Sequence, residues 1–213
     1  MTLSPADLAG GLLDQGAVKL SPTAPFTWSS GMKAPIYCDN RQLLGDPGLR
    51  ARVADALAAE AASLDPSLIA GTSTAGIPWG ALVADRLKQP FAYVRPEPKK
   101  HGMGRQVEGP SAKGRRVVLI EDLISTGGSS LKCVEALRAE GAEVEAVLAL
   151  FSYGLPAALE AFRAAGAQLR TLASFEALVM EARRRGLVDG AGAESLEAWQ
   201  RDAAAWSKAH GGG

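Results

Sequence analysis

Four apolar residues, Val117-Val118-Leu119-Ile120, run straight into the carboxylates of Glu121 and Asp122, and from Ser125 to Ser130 the chain is small, hydroxylic and glycine-rich. A continuous apolar run suits a strand buried on both faces, as in a parallel sheet. Ser125 to Ser130 suits a tight turn opening a helix, because Leu131-Lys132-Cys133-Val134-Glu135-Ala136-Leu137 continues with helical spacing. A helix start exposes unpaired N–H groups and the positive end of a dipole, so such a turn is a ready phosphate cradle. The acidic pair lies about one sugar away, able to accept from ribose hydroxyls or to hold a metal. The segment therefore points to a phosphorylated sugar gripped at both ends.

The rest of the chain fits around such a sheet. Ser4-Pro5-Ala6-Asp7 supplies a hydroxyl cap, a proline at the first helical position and an acid in the first turn, which predicts a helix to about Leu13. Ala17 to Leu20, Phe26 to Ser29 and Pro35 to Cys38 read as two or three small strands, separate from the main sheet. Asp46-Pro47 opens an alanine-rich helix to about Ala62. Strands at 68–70, 91–94, 117–120, 144–151 and 169–172 then alternate with helices at 77–87, 130–139 and 156–165. Alternation of this kind predicts a parallel sheet with helices on both faces. Glu176 to Arg185 and Glu194 to Trp206 read as closing helices, and Gly211-Gly212-Gly213 as a frayed end.

Bulk properties exclude several classes. Zero formal net charge leaves no global basic field for nucleic acid. No stretch approaches the ~18 consecutive apolar residues of a membrane span. The first residues lack a basic region followed by an apolar run, so no secretory leader is expected and the location is cytoplasmic. Cys38 and Cys133 cannot form a disulfide framework and read as buried structural thiols.

One gap breaks the rhythm. Residues 96–115 show no apolar periodicity and carry Pro96, Pro98, Gly102, Gly104, Gly109, Pro110 and Gly114. Connections this long in compact domains are usually functional or disordered. Arg95, Lys99, Lys100, His101 and Arg105 form a local basic cluster there, which predicts a mobile lid whose charges meet an anionic substrate.

Neither a Walker loop nor a strand followed by G-x-G-x-x-G is present. Val117 to Ser129 instead resembles, at all thirteen positions, the phosphoribosyl pyrophosphate (PRPP) signature of the type I phosphoribosyltransferases. The resemblance implies that Glu121 and Asp122 hold the ribose hydroxyls and that Ser125, Thr126, Gly127, Gly128 and Ser129 wrap the 5′-phosphate. Leu123 and Ile124 join them in the PRPP-binding set. Phe26 to Arg41 is similar to the N-terminal hood of the orotate phosphoribosyltransferases. Tyr93 to Gly102 resembles their catalytic loop, which makes Arg95, Lys99 and His101 the catalytic and diphosphate-contacting residues. Gly71 to Pro78 is similar to their diphosphate loop, with Thr74 binding PRPP; its simpler reading is a helix-capping turn.

The chain departs from that family at four cations: Ser29, Ala75 and Pro96 stand where lysines are common, and Phe151-Ser152-Tyr153-Gly154 stands where an arginine grips the orotate carboxylate. Lys33 or Arg41 is then expected to take the carboxylate, with Ser125 facing the base. The resemblance implies an α/β protein of type I phosphoribosyltransferase fold, a central parallel sheet flanked by helices. Residues 1–45 would form the first helix and the hood, and 46–213 the core with mobile loop 96–115. It also implies transfer from PRPP to orotate, with Mg²⁺ held mainly by PRPP near Asp122, in a homodimer whose lids are shared across subunits. A purine phosphoribosyltransferase and a PRPP-sensing regulator of the same fold are the alternatives.

Overall fold

The apolar runs lie side by side at the centre of the molecule. The computed structural model describes residues 3–28, 30–97 and 105–212. Strands β5 (Leu68–Thr72), β8 (Arg116–Ile124) and β9 (Glu143–Ser152) are buried over most of their length, as parallel strands covered on both faces must be. With β6 (Phe91–Val94), β7 (Val107–Glu108) and β10 (Leu169–Ser174) they form a six-stranded sheet in the order β10-β9-β8-β5-β6-β7. Helices α3 (Gly76–Leu87), α4 (Gly128–Ala139) and α5 (Pro156–Ala164) make the crossovers.

From β5 the chain steps one way to β6, then crosses back to β8 on the other side of β5. The order therefore reverses between β5 and β8, and ligands of open α/β sheets bind beyond the carboxyl ends at such a reversal. Both glycine-rich segments, 71–78 and 125–130, leave the sheet there.

Packing fixes the approach of α3 to this point. A Cβ on Gly76 would lie 2.3 Å from the Ile120 carbonyl oxygen, and one on Gly71 would lie 2.7 Å from that of Gly76. Backbone cannot yield as a side-chain tip can, so these two positions admit only glycine without displacing the helix.

Helix α1 (Pro5–Asp14) begins with the expected capping box, Ser4 Oγ accepting from the Asp7 N–H and Asp7 Oδ2 from the Ser4 N–H, both at 3.1 Å. It packs on α6 (Phe175–Arg184) and β10. Helix α2 (Pro47–Ala62) starts under an Asp46 cap, also as expected.

Between α1 and α2 lie four short strands, not two or three. β1 (Val18–Leu20) pairs antiparallel with β4 (Ile36–Cys38), and β2 (Phe26–Thr27) with β3 (Lys33–Ala34). A 3-10 turn, Asn40–Gly45, leads from them into α2.

Three further expectations are corrected. Residues 107–108 of the expected loop form β7, antiparallel on β6, because the Val107 side chain is buried at the sheet edge; two residues are too few to show a period. The closing helix is two helices, α7 (Gly190–Arg201) and α8 (Ala203–Ala209), because Asp202 turns out of helical geometry and accepts from the Ala205 N–H at 2.9 Å. Gly212 is not frayed: its N–H donates to the Ser207 carbonyl at 2.9 Å, with the backbone of Lys33 close against it.

Candidate active site

Strand β8 continues through the acidic pair to Ile124 rather than stopping at Ile120, because β9 keeps pairing with it. Successive strand residues start toward opposite sides of a sheet, yet at this strand end the Glu121 and Asp122 side chains stay close enough to share a hydrogen bond. Glu121 turns toward α4 and is 5% exposed. Its Oε2 accepts from Ser130 Oγ at 2.8 Å and its Oε1 from the Asp122 N–H at 3.0 Å. Burial, then the neighbouring Asp122 charge, pushes its carboxyl up to about 8.

Asp122 is half-buried and turns toward the hood. Burial raises its carboxyl too, opposed first by the hydrogen bond with Glu121 and, more weakly, by the Arg41 charge. Its main-chain carbonyl accepts from Asn40 Nδ2 at 2.6 Å, and the Asn40 amide oxygen accepts from the Cys38 thiol at 3.0 Å. Burial and the nearby aspartates push that thiol upward, so it stays protonated and donates.

Beyond Ile124 the chain makes the phosphate turn. Gly127 adopts a φ of +79° and opens α4; a Cβ there would meet the Phe162 ring at 2.7 Å. Among the described residues no side chain caps α4 or α3, whereas Ser4, Asp46, Ser174, Asp189 and Asp202 cap the starts of α1, α2, α6, α7 and α8. The first-turn amides of α4 are therefore open to a ligand's anionic oxygens, whereas at α3 the Ile77 N–H is taken by the Thr74 carbonyl and Pro78 has no N–H. Thr74, exposed ahead of α3, accepts through its carbonyl from the Ile77 N–H at 3.2 Å. Ala75 occupies the cap position without a side-chain bond, and the Thr74 carbonyl makes the turn into α3 in its place.

A cavity of 580 Å³ lies beside the turn. The N-terminal segment lines it with Thr27, Trp28, Ser30, Met32, Tyr37 and Cys38, the signature with Leu123, Ser125 and Thr126, and β9's end with Tyr153. These side chains are all neutral. Trp28 stacks on Tyr153 at 5.7 Å and 24°, and Trp199 of α7 packs edge-on to both, at 5.8 and 5.2 Å. Tyr153 thus puts an aromatic wall at the end of β9, braced by Phe175 of α6 and Trp199 of α7.

Ser125, expected to face the base, and Thr126, expected at the 5′-phosphate, both line this cavity. Lys33 and Arg41 are not among its lining residues. Lys33 Nζ donates to Thr27 Oγ1 at 2.8 Å, one residue from the slot, and Arg41 Nε pairs with Asp39 Oδ1 at 2.5 Å. Arg95 follows β6, its N–H donating to the Gln106 carbonyl at 2.9 Å and its carbonyl accepting from Gln106 Nε2 at 3.0 Å. That pair closes the base of the segment carrying Lys99 and His101, and those two residues, like Ser29, lie outside the described ones.

A larger groove of 690 Å³ lies between α1, α2 and α6, remote from the signature. Its arginines are already matched: Arg52 to Asp7, Arg184 to Glu181, and Arg185 to Asp14 and Glu181. The chemistry belongs to the smaller cavity.

The Phosphoribosyl transferase domain profile matches residues 42–160. The orotate phosphoribosyltransferase of Bacillus caldolyticus is 49% identical over 202 residues, covering 94% of this chain and 98% of that protein. That of Listeria monocytogenes is 47% identical over 199 residues, covering 92% and 95%. The chain belongs to the orotate phosphoribosyltransferases, a branch of the phosphoribosyltransferase family. The crystal structure of orotate phosphoribosyltransferase from Aeropyrum pernix superposes with a TM-score of 0.73 at 36% identity, covering 85% of this chain and 99% of that one. Leishmania donovani UMP synthase gives 0.78 at 27% identity, covering 92% of this chain and 42% of the larger one.

As a phosphoribosyltransferase, the chain carries its signature where the sheet order reverses. Sequence reasoning missed Asn40, Ser130 and Tyr153. Asn40 lay in view in Cys38-Asp39-Asn40-Arg41, but an asparagine at a turn ordinarily reads as a cap. Ser130 reads as one more hydroxyl of the turn, and only its 1% exposure beside Glu121 sets it apart.

Proposed function

We propose that this protein transfers the phosphoribosyl group of PRPP to orotate, giving orotidine 5′-monophosphate and diphosphate in pyrimidine biosynthesis. One observation carries the reading: Ser125 and Thr126 belong both to the phosphate turn and to the wall of the aromatic cavity. A ribose 5-phosphate anchored at the turn therefore presents its anomeric carbon toward a planar ring in the slot.

Orotate N1 attacks that carbon as the bond to diphosphate breaks, its N–H proton passing to the departing diphosphate or to solvent, through a state resembling the oxocarbenium ion of glycoside chemistry. The main demand is electrostatic: neutralise the leaving diphosphate and keep out water. Arg95, Lys99 and His101 supply charge from residues 96–115 and their base, and Thr74 ahead of α3 meets the diphosphate. Ser125 to Ser129 hold the 5′-phosphate, with Leu123 and Ile124 forming the strand end beneath. Asp122 serves the ribose hydroxyls, with Glu121 bracing it from behind through the Asp122 N–H. Ser125 faces the base, and Lys33 or Arg41 meets its carboxylate from the rim.

Among the described residues no group of three or more His, Cys, Asp or Glu side chains could cage a metal. Glu121 is already bonded to Ser130 and the Asp122 amide, which leaves Asp122 as the available carboxylate. That donor set fits a Mg²⁺ held mainly by PRPP oxygens, since Mg²⁺ favours substrate phosphates over an all-protein cage. When bound, it supplies charge neutralisation at the diphosphate.

The same reading makes the enzyme a cytoplasmic homodimer in which residues 96–115 serve the neighbouring subunit's site. Residues 1–45 act as the hood unit over a 46–213 core. Among the described residues no helix is long and apolar enough to cross a membrane.

The test is a base panel. With PRPP and Mg²⁺, orotate, uracil, adenine, guanine and xanthine are offered separately and diphosphate release is followed. Turnover with orotate alone is expected; turnover of a purine without orotate turnover overturns the assignment.

A further inference from the structure

Four hydrogen bonds run in series across the three parts of the site. The Cys38 thiol, in the base cavity, donates to Asn40 Oδ1 at 3.0 Å, and Asn40 Nδ2 donates to the Asp122 carbonyl at 2.6 Å. The Asp122 N–H donates to Glu121 Oε1 at 3.0 Å, and Ser130 Oγ, in the first turn of the phosphate helix, donates to Glu121 Oε2 at 2.8 Å. Asn40 is the only side chain of the N-terminal segment in this series that touches the acidic strand, and it is fully buried. Both ends of its amide are used, so its orientation is fixed from two sides. A buried amide bonded at both its oxygen and its nitrogen holds one arrangement, because losing either partner strands a polar group away from water.

We infer, on the PRPP and orotate reading above, that Asn40 is a positioning residue that couples the base slot to the PRPP site. It touches no reacting atom. Through its oxygen it sets the Cys38 edge of the slot, and through its nitrogen it holds the backbone of the residue whose carboxylate faces the ribose. A shift of the hood is thereby transmitted to Asp122, and ordering of Asp122 by PRPP is transmitted back to the slot. An isolated cap on the 3-10 turn would have no such reach. That role is already filled by Asp39, whose carboxylate accepts from the Arg41 N–H at 3.2 Å.

The test is Asn40→Ala, with Asn40→Ser as the second variant should alanine not yield folded protein. Two quantities are measured in each: the affinity for PRPP by calorimetry without any base, and the separate KM values for PRPP and for the base in steady state. Val53→Ala, a buried core truncation on α2, serves as the purely structural control. Misplacing a positioned group by a fraction of an ångström to one ångström costs on the order of 10–100-fold. The expectation is that PRPP affinity weakens and both KM values rise by that order, while Val53→Ala lowers only the active fraction and leaves both KM values in place. PRPP affinity unchanged in the Asn40 variants, or a rise confined to the base KM, overturns the coupling role. The PRPP measurement needs no base, so it stands apart from orotate specificity: wild-type protein that fails to turn over orotate would count against the proposed function, not against Asn40.

Discussion

Ser130 Oγ donates to Glu121 Oε2 at 2.8 Å, pinning the first turn of α4 to the acidic end of β8. Both residues are buried, at 1% and 5% exposure. Strand and helix are joined here by a side-chain bond inside the segment that must hold a phosphate at one end and a ribose at the other. The carboxyl is accordingly placed among low-dielectric surroundings where its charged form is disfavoured.

Burial of Glu121 makes stability fall between mildly acidic and weakly alkaline pH. Glu121 has its carboxyl raised from an ordinary 4.5 to about 8 in the folded protein. Between those values the native state keeps a proton that the unfolded chain has lost, so stability falls as pH rises through this window. Urea unfolding of the wild type and of Glu121→Gln should therefore diverge from pH 5 to 8, with only the wild type losing stability from this source. Parallel pH profiles would show that Glu121 is ionised in the native state.

The opposite sign holds at Glu181. Hydrogen bonds from Arg184 and Arg185 hold its carboxyl down at about 2. The stabilisation is present above the ordinary value of 4.5 and is lost as pH falls toward 2. Arg185 also pairs with Asp14 on α1, so the native Glu181–Arg185 pair that braces the α1–α6 contact should give way only as pH approaches 2. Glu181→Gln should flatten the acid limb of the stability curve between those pH values. An unchanged acid limb contradicts the pairing.

The two signature glycines should separate cleanly. Gly127→Ala demands a left-handed backbone from alanine and drives its Cβ to within 2.7 Å of Phe162. A cost of about 1–3 kcal/mol is expected, with weaker PRPP binding. Gly128 has open space around its Cβ position. Gly128→Ala should keep its Tm within a few degrees of wild type, and equal losses for both variants would refute the distinction.

Lys99→Ala should slow transfer by about 10²–10³-fold with the fold intact, as expected for the loss of one charge-stabilising group at a leaving oxyanion. Mixed with Asp122→Ala subunits, it should regain activity in confirmed heterodimers, because each hybrid then holds one complete site. No recovery would place both residues in the same chain's site.

The sheet was legible because burial on both faces writes continuous apolar runs: Leu68 to Ala70 and Val117 to Ile120 stand out without any partner. Two features were not. Strand β8 continues through Glu121 and Asp122 because β9 offers pairing beyond Ile120, and no local pattern reveals a neighbour's length. The break between α7 and α8 hinges on Asp202 acting as a cap within an otherwise helical run. At the site, the signature exposed the phosphate end directly, since its turn chemistry is local. The base slot was not readable in the same way, because Trp28, Tyr153 and Trp199 are far apart in the chain and meet only after folding. The same holds for Asn40 and Asp122, which lie 82 positions apart.

Transfer from PRPP to orotate fixes the stoichiometry of one reaction. Phosphorus NMR of the purified protein with PRPP, Mg²⁺ and orotate should show PRPP converted to diphosphate and a nucleoside monophosphate, one of each per orotate consumed, with no diphosphate released when orotate is omitted. Release of diphosphate independent of orotate, or dependent on a purine in its place, would contradict it.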